Sequence, residues 1–247
     1  MSPQALAPES DHRLPRYHRV REALSAEIAA RRWKPEEAIP SEGEIAETHQ
    51  VSIGTVRKAI DSLVADGVLE RFQGKGTFVR RPDFQSSFFR FFRFASAGGA
   101  ARVPVSRILK REETMMTVVV AEALGLKAGA PAIRFSRLRL IDDRPLVLED
   151  IWLPHDRFKA LLTIDTREFG DLLYPLYEQY CGVMVASAQE TLSAEAVSAK
   201  NARLLELEPG EPVIVIERVA LSADRQPLEW RQSRGPASEF RYQVEIR

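Results

Sequence analysis

The feature that most limits how this chain can fold is an internal repeat. Setting Leu124–Arg144 against Leu205–Arg225, at a constant offset of 81, gives identity at nine of 21 positions. The pairs are Leu124/Leu205, Leu126/Leu207, Gly129/Gly210, Pro131/Pro212, Ile133/Ile214, Arg137/Arg218, Leu140/Leu221, Asp143/Asp224 and Arg144/Arg225. One residue further on in the second copy, Pro145-Leu146 matches Pro227-Leu228. Each copy reads as a helix end, a Gly-x-Pro turn, a strand, a hairpin turn at Asp-Arg and a second strand. Two copies cannot make a solenoid, which needs three or more. The pattern predicts a pseudo-twofold α+β domain with two related hairpins in one sheet. Helices are expected before each copy and near Asp171–Tyr180.

The N-terminal quarter has another rhythm. Tyr17, Val20, Leu24 and Ile28 put one apolar stripe on a helix from about Arg16 to Arg31. Pro35 and Pro40 then bar helix. Ser41-Glu42-Gly43-Glu44 reads as a capping box opening a short helix that buries Ile45 and Ala46 and runs to about His49. Ser52 can cap a third helix with Val56, Ile60, Leu63 and Val64 on one face, and Arg57, Lys58 and Asp61 on the other. Asp66-Gly67 ends it, Gly67 supplying the left-handed position. Val68–Phe72 and Thr77–Arg80 around Gln73-Gly74-Lys75-Gly76 read as a β-hairpin with a basic tip. Three helices and such a hairpin are the layout of a winged helix-turn-helix, whose third helix enters the DNA major groove. Ser52 and Thr55 can donate to phosphate, Arg57 to phosphate or guanine, and Lys75 can approach the backbone from between two glycines.

Charge supports this once its distribution is considered. The 247 residues carry 35 basic and 35 acidic side chains, a net of zero that hides a sorted arrangement. Gln50 to Arg93 holds eight basic and four acidic residues, whereas Pro35 to Glu47 holds five glutamates and no basic residue. A chain of this length corresponds to one large or two ordinary domains. Cys181 is the single cysteine, so a disulfide framework or a multi-cysteine metal or redox motif is excluded. The four histidines (His12, His18, His49, His155) lack metal-ligand spacing, and no cofactor is called for. No signal-peptide pattern and no apolar run of membrane-spanning length is present, so the expectation is a soluble cytoplasmic protein with no membrane partner.

The run PSEGEIAETHQVSIGTVRKAIDSLVADGVLERFQGKGTFV resembles the DNA-binding domain of GntR-family bacterial transcription regulators, from about Tyr17 to Arg80. The match is carried by Pro40-Ser41-Glu42, Val51-Ser52, Thr55-Val56-Arg57 and Gly74-Lys75-Gly76-Thr77-Phe78-Val79. It implies DNA contacts from Ser41, Glu42, Ser52, Thr55, Arg57, Lys58, Gly74, Lys75, Gly76 and Thr77. Two positions depart from the family: Gly43 and Ile53 stand where arginines that touch DNA are common.

From about Val103 to Arg247 the chain resembles the UTRA domain, the effector-binding module of the HutC branch of that family. The resemblance implies a fold like that of chorismate lyase, an antiparallel sheet flanked by helices, with a small-molecule pocket between the hairpins. Carried over, its lining comprises Arg137, Arg139, Glu149 and Glu229, to which Arg231 adds itself by facing the same side of its strand. Arg137 and Arg139, two apart on a strand, share a face and would favour an anionic group. Glu149 and Glu229 are either ligand contacts or counter-ions for those arginines. Relatives that bind sugar phosphates often carry Ser-Leu-Tyr where this chain has Leu172-Leu173-Tyr174, which turns the expectation towards a carboxylate-bearing metabolite.

The organisation expected is thus a disordered tail over 1–14, a winged helix-turn-helix over 15–81, a linker over 82–102 and an effector-binding, dimerising domain over 103–247. The linker's six phenylalanines between Phe84 and Phe94 suggest a strand packed on the second domain, or one that also meets the first domain or a partner subunit. The function expected is a ligand-responsive repressor that binds a pseudo-palindromic operator in double-stranded DNA as a homodimer. The alternative is an enzyme of chorismate-lyase-like fold acting on a small carboxylate. Against it, no Ser-His-Asp or Cys-His set is evident, and fold likeness does not carry activity.

Overall fold

Val20, Leu24 and Ile28, at four-residue steps, are all buried because they share the inward face of α1 (Arg16–Ala29). That stripe packs on α3 (Ile53–Ala65), whose Val56, Ala59, Ile60 and Leu63 are buried in turn. Between them α2 (Glu42–His49) buries Ile45 and Ala46. Its start is the expected capping box: Ser41 Oγ accepts from the Glu44 amide at 3.3 Å, and Glu44 Oε2 accepts from the Ser41 amide at 2.8 Å. Gly67, at φ 71°, turns the chain out of α3 into strand β1 (Leu69–Phe72), which pairs antiparallel with β2 (Gly76–Val79). An isolated bridge from Ala38 to Phe78 adds a third edge to this wing.

The computed structural model describes residues 15–81 and 104–241, and the chain divides into two compact units after Arg81. The tail 1–14 and the phenylalanine-rich linker lie outside the described residues. Among those described, no helix is long and apolar enough to cross a membrane, and no group of three or more His, Cys, Asp or Glu is placed to hold a metal.

The second unit is built on a six-stranded antiparallel sheet in the order β3-β4-β5-β8-β7-β6. The strands are β3 (Val105–Met115), β4 (Pro131–Ile141), β5 (Arg144–Pro154), β6 (Ser187–Ala196), β7 (Pro212–Leu221) and β8 (Pro227–Pro236). Short helices precede both copies of the repeat, α4 (Val118–Ala123) and α7 (Ala199–Leu205). After β5 come α5 (His155–Phe158), two 3-10 turns and α6 (Leu173–Cys181).

Both Gly-x-Pro turns form as the repeat requires. Gly129 (φ 76°) donates its amide to Met116, and Gly210 (φ 92°) donates to Val197, so even the acceptors are repeat equivalents. The hairpin turns differ from expectation in detail. In the first copy Asp142-Asp143 form a two-residue turn and Arg144 already pairs with Ile141, whereas the second copy uses a five-residue loop over 222–226.

The copies meet where β5 pairs with β8. There Asp150 is opposite Gln232, its own equivalent at the offset of 82 set by Pro145/Pro227, so the pseudo-twofold axis passes between these two residues. Each copy's helix covers the other copy's second strand. Val120, Ala121 and Leu124 pack with Trp152 and Trp230, and Ala202 and Leu205 pack with Leu148. The opposite face is covered by the 155–185 segment through Phe158, Leu161, Phe169, Leu173, Leu176 and Tyr177. That face carries the charged residues singled out above.

Candidate functional site

In the first unit, the start of α3 and the wing hold most of the expected DNA contacts. Ser52 caps α3, its Oγ accepting from the Thr55 amide at 3.2 Å, and the two hydroxyls lie 2.9 Å apart. One hydroxyl proton closes that pair, which leaves the other to donate outward, as a phosphate contact needs. Arg57 is exposed, and its Nε and Nη2 donate to Glu42 Oε2 at 3.2 and 2.9 Å. That hydrogen bond and charge raise the basicity of Arg57 above its ordinary value. Glu42 also takes Arg71 Nη2 at 3.4 Å, and Arg71 Nη1 reaches Asp61 at 2.9 Å. Glu42 therefore ties α2 to α3 and to strand β1 of the wing, holding Arg57 in one orientation.

Lys75 is exposed at the wing tip between Gly74 and Gly76, its amide donating to Phe72 at 3.0 Å. Thr77 is half-buried, and its carbonyl anchors the wing by accepting from Ile39 at 2.9 Å. Two candidates have internal work. The Ser41 hydroxyl serves the capping box, and Lys58 Nζ sits 4.1 Å from the centre of the Tyr17 ring on α1. Sequence reasoning did not find Arg71 as a partner of Glu42 or of Asp61, because nothing in the pattern showed that Glu42 would be shared.

In the second unit, Arg137, Arg139, Glu149, Glu229 and Arg231 do come together, on the sheet face beneath α6. All five are buried, at 1%, 5%, 2%, 0% and 7% exposure. Arg137 sits opposite Glu149 in the β4–β5 register, and its Nε donates to Glu149 Oε2 at 2.6 Å. Arg231 bridges the two glutamates, with Nη1 to Glu149 at 3.2 Å and Nε and Nη2 to Glu229 at 2.9 and 2.8 Å. The guanidinium of Arg139 donates to the Pro104 carbonyl at 3.1 Å.

Sequence reasoning missed the rest of this network. Tyr177 and Tyr174 donate to Glu229 at 2.7 and 3.3 Å, and Arg218 reaches both Tyr174 and Glu190. Arg218 had been legible only as the repeat partner of Arg137. The tyrosines needed knowledge of which face of α6 meets the sheet. Leu172, in the place where relatives have serine, is the N-cap of α6 and makes no side-chain cap.

The electrostatics of the cluster are uneven. Burial works against ionised Glu149, but Arg137, Arg231 and Arg139 outweigh it and hold the carboxyl below the usual carboxylate range. Burial, reinforced by Arg137 and Arg231 and opposed by Glu149, pushes Arg139 down to about 10. Burial and the neighbouring Glu229 lift the Tyr177 phenol well above its ordinary value, so it stays a neutral donor. Three guanidinium groups thus converge on Glu149, and Arg139 is the one whose charge is held least comfortably.

Comparison with known proteins meets both halves. The family described as bacterial regulatory proteins, gntR family, matches residues 16–79, and the UTRA domain matches residues 99–241. The Escherichia coli (strain K12) protein named "Probable fructoselysine utilization operon transcriptional repressor" is 29% identical over 212 residues, 86% of each chain. The histidine utilization repressor of Klebsiella aerogenes is 28% identical over 211 residues, 83% of each chain. The crystal structure of the ligand-binding domain of a candidate GntR-family regulator from Bordetella bronchiseptica superposes with a TM-score of 0.53 at 29% identity, covering 60% of this chain and 94% of that one. These relatives are repressors rather than enzymes, which removes the lyase-like alternative. With a helix-turn-helix head and a UTRA domain in one chain, the protein belongs to the GntR family of bacterial transcription regulators, in its HutC subfamily.

Proposed function

We propose that this regulator is a cytoplasmic repressor that binds a pseudo-palindromic operator as a homodimer and changes operator affinity when a small anionic metabolite occupies the UTRA domain. The observation that carries the ligand class is the convergence of Arg137, Arg139 and Arg231 on Glu149 inside the sheet face. An anion that reached Arg139 would relieve a cation that burial disfavours and would add charge-assisted hydrogen bonds. A carboxylate fits better than a phosphate, because Leu172 offers no hydroxyl at the head of α6. Two relatives are named for the utilization of fructoselysine and of histidine, compounds that both bear a carboxylate.

Arg139 also supplies a route for coupling. It donates to Pro104, the first described residue after the segment that leads from the DNA-binding unit, and Arg137 donates to the Asp171 carbonyl at 3.5 Å. The Asp171 carboxylate in turn accepts from the Ser106 amide at 2.8 Å. A ligand that drew either arginine would loosen the start of β3, and it shifts operator affinity only as far as it prefers one of the two arrangements. Dimerisation is expected because one winged helix with few phosphate contacts binds weakly and loses affinity steeply with salt.

A thermal-shift screen of the full chain against organic acids, amino acids, phosphosugars and nucleosides tests the ligand class. A ligand at about 100 times its Kd stabilises by about 2.7 kcal/mol. A carboxylate hit that alters operator binding, and loses that effect in Arg139→Ala while DNA binding survives, is the expected result. A phosphosugar hit with no response to organic acids overturns the carboxylate assignment. A monomer in sedimentation with operator DNA overturns the dimer.

A further inference from the structure

Ile53 is the first residue of the recognition helix, and half of its surface is exposed. A single exposed apolar side chain on a protein surface is ordinary. The setting of this one is not. The buried face of α3 is complete without it, through Val56, Ala59, Ile60 and Leu63. Ser52 before it and Thr55 after it hold the helix start by a capping bond, so the Ile53 backbone is fixed. Gly54 beside it has no side chain, and a Cβ built there would find only Ser52 Oγ, at 3.9 Å. Arg57, one turn on, is held by Glu42. The first turn of α3 therefore presents a rigid, branched hydrocarbon on bare backbone, flanked by two hydroxyls and a guanidinium.

The first turn of a recognition helix meets base edges in the major groove. The one hydrocarbon group displayed there is the 5-methyl of thymine, while the other major-groove features are polar donors and acceptors. Isoleucine has no donor or acceptor to offer those polar edges, and set against them it would leave them unpaired. We propose that Ile53 reads a thymine methyl in each operator half-site, so that this position of the operator selects T·A through apolar contact. The proposal rests on α3 being the DNA-reading helix.

The test uses the full chain and a duplex pool randomised over about 20 base pairs. Duplexes retained by the protein are sequenced, and each thymine of the preferred duplex is replaced singly by uracil, which removes only the 5-methyl. Burial of one methyl corresponds to about a fourfold change in affinity. The expected result is one thymine per half-site whose replacement weakens binding about fourfold, and whose sensitivity disappears in Ile53→Ala. Ile53→Val, which keeps a branched methyl, should retain part of it. Equal thymine and uracil affinities at every position overturn the proposal, as does a sensitivity that persists unchanged in Ile53→Ala. If no duplex is enriched at all, the DNA-reading role of α3 fails and the proposal falls with it, a result distinct from enrichment without methyl dependence.

Discussion

The two hairpin copies of the UTRA domain agree in backbone and disagree in charge. Gly129 and Gly210, Pro131 and Pro212, and the helices that precede them have equivalent places and hydrogen bonds. On the buried face, however, Glu149 of the first copy corresponds to Arg231 of the second, and Arg139 corresponds to Ala220. The position of the pseudo-axis explains the first difference. Because it passes between Asp150 and Gln232, positions 149 and 231 are neighbours as well as equivalents. Identical charges there would repel inside the protein. Opposite charges make the 3.2 Å ion pair that is observed. A duplicated scaffold can keep its turns and apolar residues, but its polar residues nearest the axis must diverge to be satisfied.

The sharpest way to break this comparison is to remove the shared anion. Glu149→Gln leaves buried Arg137 without its carboxylate and Arg231 with Glu229 alone, and losses of this kind run to about 3–5 kcal/mol. Urea unfolding of the full chain at pH 7 measures it. Arg137→Met and Arg218→Met then compare the equivalent arginines directly. Arg137 is the more deeply buried of the two, and its partner Glu149 is buried where Glu190 is only half-buried. The first substitution should therefore destabilise more, and equal losses would mean that the two copies are electrostatically alike after all.

The same carboxyl predicts a pH dependence. Since its folded pKa lies below the ordinary carboxylate value, the stability it contributes is complete above about pH 4.5 and is lost as the pH falls below that. The gap between wild type and Glu149→Gln should narrow on acidification from pH 6 towards pH 3, by at most about 1.4 kcal/mol per pH unit for one proton. A constant gap would show that Glu149 titrates alike in the folded and unfolded chain, and a gap that widened on acidification would show its carboxyl to be raised rather than lowered.

Contrast this network with the one around Glu42. There the ion pairs to Arg57 and Arg71 lie on the surface, where such pairs add little stability. Arg57→Ala should leave the melting temperature nearly unchanged while weakening operator binding about tenfold or more at fixed salt, as loss of a base-reading arginine does. Affinity that does not change would remove Arg57 from the contacts.

How much of this was legible in the sequence follows from which forces act locally. The capping box at Ser41, the cap at Ser52 and the stripe of Val20, Leu24 and Ile28 are written in spacings of three and four residues. The head was therefore readable in detail. The repeat exposed both hairpins because glycine and proline mark turns wherever they fall. What could not be read was pairing across elements: Glu42 with Arg71, Arg139 with Pro104, or Tyr177 with Glu229. Those partners lie 29, 35 and 52 residues apart in the chain. No period connects them, and only the strand order and the packing of α6 bring them together.

The hairpin turns offer the mildest test of the comparison. In the first copy Asp142 and Asp143 have φ of 50° and 62°, the left-handed conformation demanded of both central residues by a two-residue turn that follows the strand twist. Glycine takes that conformation without the steric penalty of a side chain, and it is favoured at the second place in such turns. The second copy avoids the demand by spreading its turn over five residues, where only Arg225 has positive φ, at 63°. Asp143→Gly should therefore stabilise the protein by about 0.5–1 kcal/mol, the relief of left-handed strain less the added freedom of the unfolded chain. Arg225→Gly should gain less, because a five-residue loop can share the strain among its neighbours. Equal gains at the two sites in urea unfolding would mean that loop length makes no difference, and that the two turns tolerate their positive φ for the same reason.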